Sequence, residues 1–115
     1  MSKHDDAVRL RHMLEAARKA VAFLKDRKRS DLDGDEQLTL ALVRLLEILG
    51  EAGKSVSADL RQRHPQVPWK EIAGTRDRLI HGYFDVDLNI VWQIVTSDLP
   101  VLIPELERMI SAEFS

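Results

Sequence analysis

Residues 34–56, GDEQLTLALVRLLEILGEAGKSV, form a pattern typical of an amphipathic helix with a broad apolar face. One apolar stripe follows the three- and four-residue spacing of a helix, and further apolar residues widen it. The stripe comprises Leu38, Leu42, Leu45, Leu46, Leu49, Ala52, Gly53 and Val56, flanked by Leu40, Val43 and Ile48. A face this broad predicts a central helix that contacts several neighbours. Residues 30–34 should form the preceding loop, with Asp33 and Glu36 as a capping box.

The outer side of this predicted helix carries three charged residues in register. Arg44, Glu47 and Glu51 stand at positions i, i+3 and i+7. This spacing favours a ladder of ion pairs along the helix, worth about 0.2–0.5 kcal/mol per pair. If the same side instead faces a cleft or a second subunit, these residues could position Arg76 or His81.

Further apolar stripes predict helices on both sides of the central one. A first helix is expected over residues 4–28. After the central helix, Ser57 should cap a short helix that ends at Arg63. Another helix is expected over residues 68–82, with Pro68 in its first turn. No stretch alternates between apolar and polar residues as a strand does, so the predicted class is all-α.

The last predicted helix follows a short turn at residues 84–87 and begins after the N-cap Asp87. Its apolar positions keep helical phase through Pro100 and Pro104. An interior proline removes a backbone hydrogen bond and clashes with the preceding turn. We therefore expect a bent helix, or two helices nearly in line, with the kink near residues 96–100.

Length and composition narrow the possible functions. The chain has 115 residues, no cysteine and a formal net charge of −2, so we expect one domain, residues 1–115, without disulfide or thiolate chemistry. Apolar runs are shorter than the roughly 18 residues of a membrane span, and the first residues lack a signal-peptide core, which favours a cytoplasmic protein. No metal or cofactor site is predicted, because the histidines are scattered and no Gly-rich phosphate loop is present. Residues 54–78 hold six basic and three acidic side chains, a local bias that a phosphate-binding groove requires.

Residues 76–83, RDRLIHGY, hold the cluster whose residue types suggest chemistry. The guanidinium of Arg76 matches a phosphate, and the imidazole of His81 exchanges protons near neutral pH. Asp77 could orient either cation. Gly82 should terminate the helix in the left-handed conformation, which would leave His81 in the last helical turn, where the helix dipole favours the imidazolium. A non-functional interpretation is also open: Arg76 and Arg78 would be solvent-exposed charges of the helix, and His81 would be a capping residue at its end.

The spacing between Arg76 and His81 adds a constraint. Five positions of a straight helix turn through about 140° and rise about 7.5 Å, so the two side chains would not share a face. Two copies packed about a two-fold axis could bring an arginine and a histidine from each chain into one cleft. The sequence therefore predicts a homodimer with the motif helices at the interface.

With the helices placed, the chain resembles the HepT-like branch of the HEPN ribonuclease toxins, which belong to type VII toxin–antitoxin pairs. The resemblance runs over most of the chain. It rests on four blocks in order: RLLEILGEA at 44–52, PWKEIAG at 68–74, RDxxxHGY at 76–83 and VDLxxVW at 86–92. It implies an up-and-down helical bundle that dimerises with the motif helices in a cleft.

The resemblance also implies RNA cleavage without a metal ion or cofactor. His81 would act as general base or acid on the 2′-hydroxyl or the leaving 5′-oxygen. Arg76 would hold the scissile phosphate and stabilise its developing charge. Supporting roles are assigned to Asp77, Arg44, Glu47 and Glu51.

Members of this family are typically encoded beside a small nucleotidyltransferase antitoxin, and the resemblance implies that this partner attaches AMP to Tyr83. The added bulk and negative charge would repel RNA. Two other functions remain open: a non-catalytic HEPN module that binds RNA or nucleotides or docks a nucleotidyltransferase, and a structural helical dimer. The set of Arg76, His81 and Tyr83 argues against the structural dimer, because a purely structural interface has no need of two cations facing each other.

Overall fold

The computed structural model describes residues 3–82 and 85–114, and it is built almost entirely of helices. The elements in chain order are α1 (Lys3–Phe23), α2 (Asp31–Gly34), α3 (Glu36–Ser55), α4 (Ala58–Arg63), α5 (Trp69–Ala73), α6 (Thr75–Leu79), β1 (Ile80–His81), β2 (Asp85–Val86), α7 (Leu88–Gln93), a π-helical turn (Ile94–Asp98) and α8 (Leu99–Phe114). The predicted all-α helical bundle is confirmed. None of the described helices is long and apolar enough to cross a membrane.

The central helix predicted from the apolar stripe is α3, which packs against α1, α5 and α6. α1 and α3 run antiparallel: the start of α1 lies beside the end of α3, where the Asp6 carboxylate accepts hydrogen bonds from Ser57. The Ser57 backbone N–H lies 2.8 Å and its hydroxyl 2.6 Å from the Asp6 carboxylate. α8 packs on α1. Side chains of all three helices close the core: Leu10, Met13, Leu42, Leu46, Leu49, Leu99, Leu106 and Met109.

The first helix ends before the expected boundary at residue 28. α1 stops at Phe23, and Asp26 adopts a left-handed conformation with a φ of 62°. Aspartate enters this region more readily than most residues do, because its short side chain can hydrogen-bond locally. The basic run that follows has a composition suited to a helix end, so composition alone did not place the turn.

The N-cap of the central helix is Asp35, and the expected cap at Asp33 is wrong. The Asp35 carboxylate accepts a hydrogen bond from the Leu38 N–H at 3.0 Å. The residues expected to form a loop fold instead as α2, which buries Leu32 in the core. Asp33 and Asp35 both precede the apolar stripe closely enough to cap it. Burial of Leu32 places Asp33 within α2 and leaves Asp35 to cap α3, and a sequence pattern does not reveal that burial.

The other two predicted caps are confirmed. The Ser57 hydroxyl accepts a hydrogen bond from the Leu60 N–H at 3.3 Å at the start of α4. The Asp87 carboxylate accepts hydrogen bonds from two backbone N–H groups at the start of α7. Both residues satisfy donors that have no partner within the helix.

The helix expected over residues 68–82 is broken, and this part of the prediction is wrong. α5 ends at Ala73, Gly74 joins it to α6, and α6 ends at Leu79. The Thr75 hydroxyl donates a hydrogen bond to the Ile72 carbonyl at 2.7 Å, which competes with the regular helical bond to that carbonyl. The chain then enters the β1–β2 hairpin, so the short turn expected at residues 84–87 is in part a strand.

The final helical segment continues through both prolines, as its unbroken apolar phase predicts. The Leu99 N–H donates to the Ile94 carbonyl five residues back, so the expected irregularity takes the form of a π-helical turn directly before Pro100. A π-turn inserts one residue into the helix, and Pro100 has no N–H to donate to the turn before it. Pro104 lies inside α8.

Two glycines of α3 allow α5 to approach closely. A Cβ atom at Gly53 would stand 2.7 Å from Ile72 Cγ2 and 3.3 Å from Met13 Cε. A Cβ at Gly50 would stand 3.0 Å from the Ile72 carbonyl oxygen. These separations are shorter than ordinary van der Waals contacts, so the α3–α5 packing depends on the missing side chains.

We predict that Gly53→Ala lowers the free energy of unfolding by about 1–3 kcal/mol, because the added methyl group overpacks the α3–α5 contact. Gly34→Ala is the matched control, since nothing lies within 4 Å of a Cβ there. It should leave stability unchanged or raise it by up to about 1 kcal/mol. Urea unfolding of both variants measures the difference, and equal effects at the two positions would contradict the packing argument.

The end of α8 is tied to the segment after α4 by a carboxylate. Glu113 accepts from Arg63, and its Oε2 lies 3.3 Å from His64 Nε2. The hydrogen bond to His64 is the main cause that lowers the pKa of Glu113 below its ordinary value. Burial opposes it, and the hydrogen bond and charge of Arg63 lower the pKa further. Because the pKa is lower in the folded state, this contact stabilises the fold above the carboxyl's ordinary pKa, and the contribution is lost as the pH falls through the folded-state pKa.

We therefore expect Glu113→Gln to lower the Tm at pH 7, and this deficit should shrink as the pH is lowered toward the folded-state pKa of Glu113. Glu107→Gln removes a more exposed carboxylate from the same helix, with 47% of its side chain accessible against 17% for Glu113. This control should lower the Tm less at pH 7. Thermal unfolding of the three proteins at several pH values tests the expectation, and a deficit independent of pH would refute it.

Candidate active site

Arg76 lies on α6 and reaches the central helix. Its Nε is 3.6 Å from Oε2 of Glu47, and its side chain is 68% exposed while that of Glu47 is only 22% exposed. A carboxylate beside Nε leaves the two terminal nitrogens of the guanidinium available to an anion, the arrangement in which arginine binds phosphate through a fork of donors. Glu47 thus contacts a charged side chain from another helix. Within residues 3–82 and 85–114, no ion pair joins Arg44 to Glu47 or to Glu51, so the expected ladder does not form.

The position of Arg76 follows from the residues that anchor its short helix. Thr75 and Leu79, four residues apart on α6, are both buried. They hold one side of the helix against the core and turn Arg76 and Asp77 toward solvent. The structure shows Asp77 exposed, and within the described part of the chain no ion pair joins it to Arg76 or His81.

His81 lies in the β1–β2 hairpin and not in the last turn of a helix, which corrects the expected location. The register pairs Ile80 with Val86 and His81 with Asp85. Gly82 has a φ of 77°, so the predicted left-handed glycine is present, but it follows a strand and not a helix. His81 is exposed. The 140° separation calculated for a straight helix therefore does not describe this pair, and the helix dipole does not act on His81 as expected.

Arg78 faces away from Arg76, since two positions on a helix differ by about 200°. It lines a cavity of about 260 Å³ between α5, α6 and the π-helical turn, together with Glu71, Thr75 and Asp98. Arg76 and His81 do not line that cavity. The candidate site is therefore an open surface of this chain.

No group of three or more histidine, aspartate or glutamate side chains is placed to hold a metal ion in the described ranges. Arg44 and Glu51 are exposed and, like Glu47, lie on α3. The predicted modification site, Tyr83, lies outside the described residues. The structure therefore brings together Arg76 and Glu47, and it exposes His81 on the next element along the chain.

Residues 13–109 match the family described as Ribonuclease HepT-like. The chain belongs to this family. A Methanocaldococcus jannaschii protein provisionally assigned as an RNase is 39% identical to this HepT-like chain over 93% of the chain and 98% of that protein. A Caldanaerobacter subterraneus protein with the same provisional assignment is 39% identical over 90% and 93% of the two chains. A Thermococcus cleftensis protein provisionally assigned as ribonuclease HepT is 43% identical over 65% and 68%. No solved structure gives a significant match.

Sequence reasoning did not place Asp85 next to His81, its partner in the strand register. Directly opposed residues of an antiparallel pair have Cβ atoms about 4.5–5.5 Å apart, so the register places Asp85 beside His81. In the described ranges no ion pair joins the two side chains. The sequence does not predict a hairpin here, because each strand has only two residues. The available signal was Gly82, since a glycine between two short segments marks a hairpin turn as well as a helix end.

Proposed function

We propose that this HepT-like chain is a ribonuclease that cleaves RNA without a metal ion. The observation that carries the proposal is the state of Arg76: its side chain is 68% exposed, its Nε lies 3.6 Å from Oε2 of Glu47, and an exposed His81 stands on the adjoining hairpin. Phosphodiester cleavage of this kind requires a group that binds the phosphate and a group that transfers protons, and Arg76 and His81 have these properties. The provisional assignment of the relatives as RNases supports the same class of reaction.

The proposed reaction uses the 2′-hydroxyl of RNA as nucleophile. His81 accepts its proton, the 2′-oxygen bonds to phosphorus, and the bond from phosphorus to the 5′-oxygen breaks while a general acid protonates that oxygen. The products are a 2′,3′-cyclic phosphate and a 5′-hydroxyl. Arg76 binds the non-bridging oxygens and stabilises the charge that develops on them. Asp77 is proposed to orient the pair once RNA is bound.

We further propose that the working unit is a homodimer. Five cavities formed by the described residues are lined by neither Arg76 nor His81, which supports a cleft completed by a second surface. A two-fold dimer repeats the same patch on both subunits and would place two sets of Arg76 and His81 around one RNA strand. The two imidazoles could then divide the roles of general base and general acid.

As a toxin, the protein would be controlled by a nucleotidyltransferase antitoxin. The proposed modification joins the phenolic oxygen of Tyr83 to the α-phosphorus of ATP and releases pyrophosphate. Tyr83 follows His81 by two positions in the sequence, which supports it as the acceptor. An attached AMP brings a negative charge that opposes binding of the RNA backbone.

His81→Ala should abolish cleavage of total cellular RNA in excess EDTA, because it removes the group that transfers protons. The matched control is His12→Ala, which removes an exposed histidine of α1 and should cleave like the wild type. Wild-type fragments should end in cyclic phosphate. Undiminished cleavage by folded His81→Ala would overturn the catalytic assignment, and an inactive wild type that still binds RNA would indicate the non-catalytic HEPN module.

Tyr83→Phe should retain cleavage but resist AMP transfer, because it lacks only the acceptor oxygen. The experiment is incubation with ATP and a nucleotidyltransferase antitoxin of a HepT-like toxin, followed by mass spectrometry of tryptic peptides. Wild-type protein should gain AMP on the peptide that contains Tyr83 and lose its cleavage activity. AMP found on a residue other than Tyr83, in the wild type or in Tyr83→Phe, would contradict the proposal.

A further inference from the structure

The central helix presents a row of charges beside Arg76. Arg44, Glu47 and Glu51 lie within an arc of about 60° on α3, and Arg44 and Glu51 are exposed. Glu47, between them, contacts Arg76. The row therefore places a cation on one side of the Arg76–Glu47 pair and an anion on the other.

Arg44 does not pair with Glu47, the carboxylate that its position on the helix would provide as a partner. At a spacing of i, i+3, its Cβ is about 5–6 Å from that of Glu47, yet the Glu47 carboxylate is directed to Arg76. In the described part of the chain, Arg44 forms no ion pair. It is thus an exposed cation, one turn of α3 from the glutamate that contacts the guanidinium proposed to hold the scissile phosphate.

We propose that Arg44 binds the phosphate next to the scissile one, so that α3 forms a second backbone subsite for single-stranded RNA. This inference rests on the proposed ribonuclease function. RNA is a chain of regularly spaced anions, and a strand held at Arg76 must direct its neighbouring phosphates to the two sides of that residue. Arg44 attracts a phosphate on its side, and Glu51 repels one on the other. The row of charges therefore selects the direction in which the backbone leaves the site.

Other basic residues near the motif do not meet these conditions. Arg78 faces the cavity on the other side of α6. Lys54 is exposed near the end of α3, one turn beyond Glu51, so an anion separates it from Arg76. Lys54 is therefore a matched control: a cation on the same helix that the proposal leaves without a phosphate.

Arg44→Ala should raise the KM about tenfold for an oligoribonucleotide that spans a cleavage site mapped in total RNA, because one charge-assisted contact is lost. Its kcat should change little, because Arg44 does not contact the reacting phosphate. The slope of log(kcat/KM) against log[NaCl] should become shallower by about 0.7, the value for one phosphate contact on a single strand. Lys54→Ala should match the wild type in both quantities. Thermal unfolding verifies that both variants are folded.

Substrate modification locates the contact. Two versions of the oligoribonucleotide carry a neutral methylphosphonate, one on the 5′ side and one on the 3′ side of the scissile phosphate. With one of them, the wild type and Arg44→Ala should show the same KM, because the charge that Arg44 binds is absent. A penalty that persists with both substrates, or a KM and salt slope unchanged in Arg44→Ala, would overturn the subsite. Failure of the ribonuclease proposal is distinct, since the wild type would then cleave none of these substrates, and the subsite would fall with it.

Discussion

The close approach of α5 to the central helix is the contact on which the candidate site depends. Gly50 and Gly53 remove two side chains from one face of α3, and Ile72 occupies the space. Because α6 begins two residues after α5 ends, that contact also determines where Arg76 lies. Glu47 is three positions before Gly50, hence on a neighbouring part of the same face. The turn of α3 that receives α5 thus also supplies the carboxylate for Arg76.

The Arg76–Glu47 ion pair contributes more to orienting the Arg76 side chain than to stabilising the fold. Exposed ion pairs contribute about 0–1 kcal/mol to folding, and Arg76 is mostly exposed. An isolated arginine at the surface samples many rotamers, and ordering it on binding costs conformational entropy. A carboxylate on the less exposed side restricts the guanidinium before a ligand arrives. The same contact deprives Arg44 of its helix partner, so one glutamate determines the environment of both arginines.

The sequence was a good guide where one interaction dominated. The apolar stripe of α3 located the central helix because burial of a broad face leaves few alternatives. Ser57 and Asp87 are residue types that favour the N-cap position, and each directly precedes a helix in the structure. The last helical segment was predicted to be irregular because a proline inside a helix removes a backbone hydrogen bond and clashes with the preceding turn. Residue chemistry and the family resemblance both point to Arg76 and His81, and the roles of the two residues are predictions.

The parts that could not be predicted involve competition between two local signals. Asp33 and Asp35 are both suitable caps, and the packing of α2 decides between them. Residues 68–82 keep apolar residues in helical phase through Ile80, so the break at Gly74 and the hairpin after Leu79 are invisible to periodicity. A strand of two residues is too short to show alternation. The contact between Glu47 and Arg76 spans 29 positions in sequence, and no local pattern reports a contact of that range.

Because α6 ends at Leu79, Arg76 and His81 lie on different elements of the structure. Arg76 stands on a helix anchored by buried residues on either side and held by Glu47, so its position is set by the core. His81 stands on a two-stranded hairpin, an element with little stability of its own, closed by the hydrogen bond from the Asp87 N–H to the Leu79 carbonyl at 2.7 Å. Electrostatic stabilisation benefits from a preorganised group, whereas proton transfer requires hydrogen-bond reach to an atom whose place depends on the bound nucleotide. A fixed arginine and a histidine on a short hairpin therefore fit the different demands of the two proposed roles better than one rigid helix would.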